Sequence, residues 1–426
     1  MAGLDGHGLI LAAPASGSGK TTLTLGILRA LHRRGVAVRG AKSGPDYIDP
    51  RFHEAACGRP CPNLDAWAMA PARLKALAAG PGLLLIEGAM GLFDGAPPAG
   101  KGATGDLARL LDLPVILVVD GAHMAQSIAA LVAGFANHDR SVRIGGVILN
   151  KLGSARHERM LRAALAPLGL PALGAIARQN GLEHPARHLG LVQAREHPDL
   201  DGYLDHVADI VEQSIDLDQL QSLAAPLPAT AGTAARLAPP GQRIAIAEDA
   251  AFAFAYPHIL ADWRAAGAEI RFFSPLADQG PPADADFIFL PGGYPELHGA
   301  ALANAQTFRA AMRAATCPIY GECGGYMVLG EGLIDADGNS HEMLGLLGLQ
   351  TSFAQRRLHL GYRRLSADRG PFPGRWGAHE FHYASTLKAE GKALFQARDS
   401  EGNRLAPMGL IAGNVSGSFA HIIDIA

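Results

Sequence analysis

Short apolar runs recur through the first half of the chain, at 8–14, 36–41, 83–87, 114–120, 144–150 and 172–176. They are continuous rather than alternating, the pattern of parallel strands covered on both faces. Helix-length stretches separate them, and two of these, 21–34 and 124–136, carry apolar residues at helical spacing with few breakers. This rhythm predicts an α/β unit. It fails over 215–242, where Ala, Pro, Thr and Gly dominate, as in Ala224-Ala225-Pro226-Leu227-Pro228 and Pro239-Pro240-Gly241, and a linker is expected there. Beyond it, apolar runs at 243–247, 269–273, 287–290 and 317–320 predict a second α/β unit. The expectation is an N-terminal parallel-sheet domain over 1–214 and a C-terminal α/β domain over 243–426, with no internal repeat.

Composition narrows the partners. A chain of 426 residues is long enough for two cores, and 37 basic against 40 acidic residues leave a formal net charge of −3. No global basic field exists to hold nucleic acid or an anionic membrane, so small ligands are expected. The 4 cysteines, at 57, 61, 317 and 323, are too few and too uneven for a disulfide framework, which fits a reducing cytoplasm. No apolar run approaches the roughly 20 residues of a membrane span, and the first residues lack a basic leader, so a soluble, unprocessed protein is expected.

The first apolar run leads into Ala13-Pro14-Ala15-Ser16-Gly17-Ser18-Gly19-Lys20-Thr21-Thr22, a strand, a small-residue loop and a helix start. Ser16, Gly17, Gly19, Lys20, Thr21 and Thr22 form a candidate triphosphate cradle. Its glycines turn backbone N–H groups inward, Lys20 reaches the outer phosphates, and the Thr21 hydroxyl is placed to ligate Mg²⁺. Pro14 stands where the strict motif has its first glycine. Carboxylates for the metal come from two further strand ends: Asp46 in Lys42-Ser43-Gly44-Pro45-Asp46-Tyr47-Ile48-Asp49-Pro50, and Glu87 in Ile86-Glu87-Gly88-Ala89-Met90. Lys42 is expected to face an anionic substrate, with Asp49, Tyr47 and Asp94 as weaker candidates. Asn150-Lys151-Leu152-Gly153 imitates a guanine-reading loop but lacks its final carboxylate, so Asn150 is expected to meet adenine and ATP is favoured over GTP.

In the second half, Cys317-Pro318-Ile319-Tyr320 reads as a strand, Gly321-Glu322-Cys323-Gly324-Gly325 as a sharp turn and Tyr326-Met327-Val328-Leu329 as a helix start. This is a nucleophile elbow carrying sulfur, with the helix terminus expected to lower the Cys323 pKa and the Gly324 N–H to face an oxyanion. Gly292 and Gly293, in Leu290-Pro291-Gly292-Gly293-Tyr294-Pro295-Glu296, offer a second donor. His421 is a candidate base, although spacing alone does not separate it from His359, His379 and His382. His379-Glu380-Phe381-His382 is one residue short of a zinc-protease helix motif, so packing or substrate contact is expected instead. Cys57 and Cys61 lack a second ligand pair for zinc.

Taken together, the loop 16–22 and the stretches 42–50, 86–95, 291–296, 321–325, 379–383 and 417–421 resemble the cobyrinic acid a,c-diamide synthase family, including its hydrogenobyrinic acid branch, over the whole chain. The resemblance implies a dethiobiotin-synthetase-like ATP domain and a class I glutamine amidotransferase domain, with Cys323 as nucleophile and His421 as its base. Many class I amidotransferases carry a glutamate two residues after that histidine, where this chain has Ile423, so a Cys-His dyad or an orienting group elsewhere is implied. The implied substrates are a corrinoid carboxylic acid and L-glutamine, with ATP and Mg²⁺. The alternatives are cobyric acid synthase, nickel-sirohydrochlorin diamide synthase and, from another class, a switch ATPase, for which the Cys323 elbow has no purpose. A homodimer is the assembly left to be tested.

Overall fold

The computed structural model describes residues 6–179, 186–187, 190–229 and 234–426. They form two compact units, Met1–Ala234 and Ala235–Ala426. No helix among the described residues is long and apolar enough to cross a membrane.

In the first unit seven parallel strands, β1 (His7–Ala12), β2 (Val38–Ser43), β3 (Asn63–Leu64), β4 (Leu83–Glu87), β5 (Val115–Asp120), β6 (Ile144–Leu152) and β7 (Ala172–Ala177), lie in the order β3-β2-β4-β1-β5-β6-β7. Leu9 pairs with Leu85 of β4, and Ile10 with Val115 of β5. Leu9, Ile10, Leu11, Leu84, Leu85 and Val118 are fully buried, each contributing about 1.5–3 kcal/mol of apolar burial. With β1 inside, the loops leaving β1, β2 and β4 converge at the carboxyl edge of the sheet, where open α/β folds bind ligands.

Helix α1 (Lys20–Arg33) follows β1, one residue earlier at each end than its periodicity predicts, and α2 (Asp49–Cys57) follows β2. The helix expected from position 124 begins at Ile128, after a turn. Helix Leu200–Ser214 packs on α1 through Gly26, where an added Cβ would stand 2.6 Å from Val211 Cγ2 and 2.8 Å from Val207 Cγ1. Arg29 and Arg33 flank the contact, each 2.7 Å from a carboxylate, Asp205 and Asp209 respectively.

The expected linker is not structureless throughout. Helix Leu217–Ser222 buries Leu217 and Leu220 in the first core, and Ala225–Pro226 pairs antiparallel with β1. An apolar pair at i, i+3 anchors a stretch whose Ala/Pro content reads as loop. Residues 230–233 of that stretch lie outside the described residues.

The second unit is built on a mixed sheet. Strands Glu269–Phe273, Arg243–Ala247, Phe287–Leu290, Ile319–Glu322 and Val415–Ser418 are parallel neighbours in that order. The sheet continues antiparallel through Met408–Ala412, Lys392–Arg398, His359–Ala367, Gly374–His382 and Ala420–Ile425. Only Phe419 separates Val415–Ser418 from Ala420–Ile425, although the two lie at different places in the sheet order. The chain therefore changes partners beside His421, which sits opposite His379 in the register.

The close approach of α1 to its neighbour sets a test. Gly26→Ala is expected to destabilise the first unit by about 1–3 kcal/mol, read as a lower midpoint in urea unfolding, because the methyl group has no space between Val207 and Val211.

Candidate functional site

At the end of β1 the chain turns through Gly17 and Gly19, with φ of 80° and 86°, into α1. Gly19 is doubly required, since a Cβ there would lie 2.3 Å from Asn150 Nδ2. No side chain caps α1 and no acidic residue occupies its first turn, so its N–H groups face a cleft bordered by Lys20, Thr21, Lys42, Glu87 and Lys151. Lys20 folds back to donate to the Met90 carbonyl at 2.7 Å. Burial is the main influence on its ammonium and lowers the pKa, against the pull of Glu87.

Beneath the loop lies a buried ionic cluster. Thr21 Oγ1 donates to Glu87 Oε1 at 2.6 Å and stands 3.3 Å from Asp49 Oδ2. Lys42 Nζ donates to Asp49 at 2.5 Å and to Glu87 at 2.8 Å. The other Glu87 oxygen lies 2.6 Å from His53 Nε2, whose Nδ1 is 3.3 Å from Cys61 Sγ. Burial pushes the Glu87 carboxyl up, yet the Lys42 ammonium and the His53 bond outweigh it and hold the pKa well below the usual range. Burial likewise pulls Lys42 down, but Asp49, Glu87 and Asp46 more than reverse it. Three carboxylates thus surround one ammonium, and the hard oxygens of Thr21, Asp49 and Glu87 form a donor set that suits a divalent cation.

Several expectations change here. Asp46 is beside the cluster, 3.9 Å from Lys42, but its Oδ1 accepts the Ile48 and Asp49 backbone N–H groups. It caps the entry to α2, and Asp49 is the carboxylate that adjoins Thr21. Desolvation and the Asp49 charge raise the Asp46 pKa to about 6. Lys42 borders the cleft, but its charge is held by carboxylates instead of waiting for an anion. Asn150 borders the cleft, where it donates through Nδ2 to the Ser18 carbonyl and accepts the Lys151 N–H, so its side chain braces the loop. Lys151 adds a second brace, donating to the Gly17 carbonyl at 2.6 Å and pairing with Asp120. Ser16, Gly17 and Thr22 border the cleft as expected, whereas Tyr47 does not, and the Asp94 carboxylate accepts the Gly91 N–H in the loop after β4. Sequence reasoning missed His53, which no spacing rule ties to Glu87.

In the second unit the strand Ile319–Glu322 runs straight to Cys323, which makes the turn alone at φ 47°, ψ −107° before helix Gly324–Leu329. A non-glycine residue in that region is strained, and the Cys323 N–H bond to the Ser418 carbonyl at 2.8 Å helps hold it. Gly292 lies between nucleophile and base: a Cβ there would stand 2.3 Å from His421 Cε1, 3.1 Å from its Nε2 and 3.2 Å from Cys323 Cβ. A Cβ on Gly324 would be 3.0 Å from the Gly293 nitrogen, so the two candidate oxyanion donors are neighbours. Of the four candidate histidines, His421 is the one that borders the space above Gly292 together with Cys323.

The thiol is not activated at rest. Burial, followed by the Glu296 charge, pushes the Cys323 pKa well up, contrary to the expected lowering by the helix. A single short helix terminus does not offset complete desolvation. Burial also lowers His421 to about 3, with His379 and His382 adding to it, and raises Glu296 and Glu322 to about 8.

His379 and His382 lie on a strand instead of a helix. His359, Glu380 and His382 bring ligand atoms within 4.8 Å of one another, but Glu380 is gripped by Arg363 at 2.7 Å. The His359 and His382 rings stack at an interplanar angle of 7°, and His382 also stacks on Phe419. Parallel rings do not aim their lone pairs at one point, which argues for packing or substrate contact over a metal, the pair of roles expected from the short motif spacing.

Comparison with known proteins matches both units. The family described as CobB/CobQ-like glutamine amidotransferase domain matches residues 243–424, and that described as CobQ/CobB/MinD/ParA nucleotide binding domain matches 9–192. Hydrogenobyrinate a,c-diamide synthase of Brucella anthropi is 57% identical over 430 residues, covering 98% of this chain and 98% of its own. Its counterpart from Rhizobium meliloti is 55% identical over 431 residues, covering 99% of this chain and 100% of its own.

Two tests follow from the second site. Gly292→Ala is expected to cut glutamine hydrolysis at least ~10²-fold by displacing His421, measured as ammonia release. Glu296 and Glu322 have folded pKa values near 8, above the ordinary carboxyl value, so the folded state holds protons that the unfolded chain has lost. Stability of this unit is therefore expected to fall as pH rises from about 4.5 to 8. Glu296→Gln is expected to flatten that decline in thermal melts across the range; an unchanged slope counts against the assignment.

Proposed function

This chain belongs to the hydrogenobyrinate a,c-diamide synthase family, and we propose on that premise that its first unit activates a carboxylate while its second supplies ammonia. The protein is a carbon–nitrogen ligase of cobalamin biosynthesis. It amidates the a and c acetate side chains of hydrogenobyrinic or cobyrinic acid at the expense of ATP and glutamine. The relatives' name favours hydrogenobyrinic acid as the natural substrate.

A carboxylate resists attack by ammonia because its leaving group would be oxide. Transfer of the γ-phosphoryl group to a carboxylate oxygen, with departure of ADP, gives an acyl phosphate whose leaving group is phosphate. Lys20 lies over the loop and would exchange the Met90 carbonyl for the outer phosphates, while the N–H groups around Gly17 and Gly19 hold the others. Thr21, Asp49 and Glu87 would hold Mg²⁺, which supplies neutralising charge beside the phosphates when bound. Lys42 keeps Asp49 and Glu87 in place, and His53 fixes the second Glu87 oxygen.

In the second unit the Cys323 thiol passes its proton to His421 Nε2 as sulfur bonds to the glutamine amide carbon. The carbonyl electron pair moves to oxygen, facing the Gly293 and Gly324 N–H groups. Collapse breaks the carbon–nitrogen bond, the proton returns from His421 to the departing nitrogen, and ammonia leaves a thioester that water hydrolyses to glutamate. Ammonia then attacks the acyl phosphate, releasing phosphate and a proton. The observation that carries this reading is that Cys323 and His421 both border the space a side chain at Gly292 would fill.

The test is mass spectrometry of hydrogenobyrinic and cobyrinic acids incubated with the protein, ATP, Mg²⁺ and either glutamine or ammonium. Two acid-to-amide conversions are expected. Cys323→Ala should lose them with glutamine by ~10³-fold or more and keep them with ammonium, whereas Lys20→Ala should lose them with both. Glutamine-dependent amidation by Cys323→Ala would overturn the nucleophile assignment, and unaltered acids with continuing ATP hydrolysis would overturn the substrate.

A further inference from the structure

The position two residues after His421 holds Ile423, a fully buried apolar side chain, so the carboxylate that commonly steadies such a histidine is missing from that position. The imidazole still needs help. His421 is fully buried, and its proton-accepting form must become a cation when Cys323 gives up its proton. An imidazole without a fixed partner at Nδ1 can also present the wrong tautomer to sulfur.

One carboxylate faces the right nitrogen. Glu322 immediately precedes the nucleophile, is buried, and places Oε2 3.7 Å from His421 Nδ1. Its other oxygen accepts the Ile422 N–H at 3.0 Å, from the residue after His421, so the side chain is tied to the histidine's own strand. The anchor is independent of any charge on His421. The strand Ile319–Glu322 pairs with Val415–Ser418, which feeds the strand carrying His421, giving Glu322 and His421 a common frame.

We propose that Glu322 is the positioning residue of the glutaminase site, accepting the His421 Nδ1–H and supporting the imidazolium from the position next to the nucleophile. It completes a Cys323-His421-Glu322 set in which base and orienting acid come from separate strands. The contact shortens into a hydrogen bond as Nε2 takes the thiol proton, so no atom other than that proton changes owner. Glu322 touches no substrate atom; it acts through His421. The other titratable side chains toward His421 are Glu380, His379 and His382, and Glu380 is already held by Arg363 and His382. Burial raises the Glu322 pKa to about 8, so the supporting form is the carboxylate that has already lost its proton to solvent before Nε2 takes the thiol proton.

This inference rests on the glutaminase reading of Cys323, and the experiment separates the two. Glutaminase kcat and KM are measured for Glu322→Gln beside Cys323→Ala, with thermal unfolding as the fold control. Glu322→Gln is expected to lower kcat by about 10²- to 10³-fold with KM within about threefold of the parent, since substrate contacts are untouched. A folded Glu322→Gln with kcat within about threefold of the parent overturns the proposal. Should Glu322→Gln not fold, Glu322→Asp and Glu322→Asn decide, because they share length and differ in charge. At least ~10-fold higher kcat for Asp supports the role, and equal rates overturn it. Retained hydrolysis in Cys323→Ala would instead sink the underlying reading, whatever Glu322 does.

Discussion

The first unit is organised around one fully buried carboxylate. Glu87 ends β4 and receives Thr21 from α1, Lys42 from β2 and His53 from α2. Four elements are tied to a single side chain that has lost all contact with water. Breaking such a buried pair typically costs about 3–5 kcal/mol, since the remaining charge has nowhere to go. The phosphate loop above inherits its position from this knot and from Asn150 and Lys151, each of which donates to a loop carbonyl. The cleft is thus shaped by bonds among its own side chains and loop carbonyls.

The second unit solves a different problem. Its proposed nucleophile and base are both driven neutral by burial, and the backbone at Cys323 is strained beside Gly293 and Gly324. The ionised pair forms only with a reaction to stabilise it. Glycine is needed at 292 because the base occupies the space a side chain would fill, and at 325 because a Cβ would stand 2.0 Å from the Leu290 carbonyl.

The sequence shows the parallel strands of the first unit plainly, because strands buried on both faces leave uninterrupted apolar runs, and Leu83–Glu87 matches its predicted bounds. The phosphate loop and the Cys323 elbow are legible for a related reason: contiguous small residues around one reactive side chain have few other uses. The antiparallel half of the second sheet is much less legible, since half-exposed strands such as His359–Ala367 and Lys392–Arg398 mix polar and apolar positions. Long-range partners are the least visible. His53 with Glu87, Asn150 with Ser18 and Glu322 with His421 are joined by sheet order, and Asp46 and Asp49 compete for one role until the cap at the start of α2 assigns them different ones.

The neutral thiol of Cys323 has a meaning for the life of the protein in the cell. Peroxides and electrophiles attack thiolates, and the oxidation ladder begins from that form. A cysteine that surrenders its proton only inside a substrate complex spends its idle time in the unreactive state. The same desolvation that disfavours the resting thiolate therefore also disfavours the form from which oxidation begins.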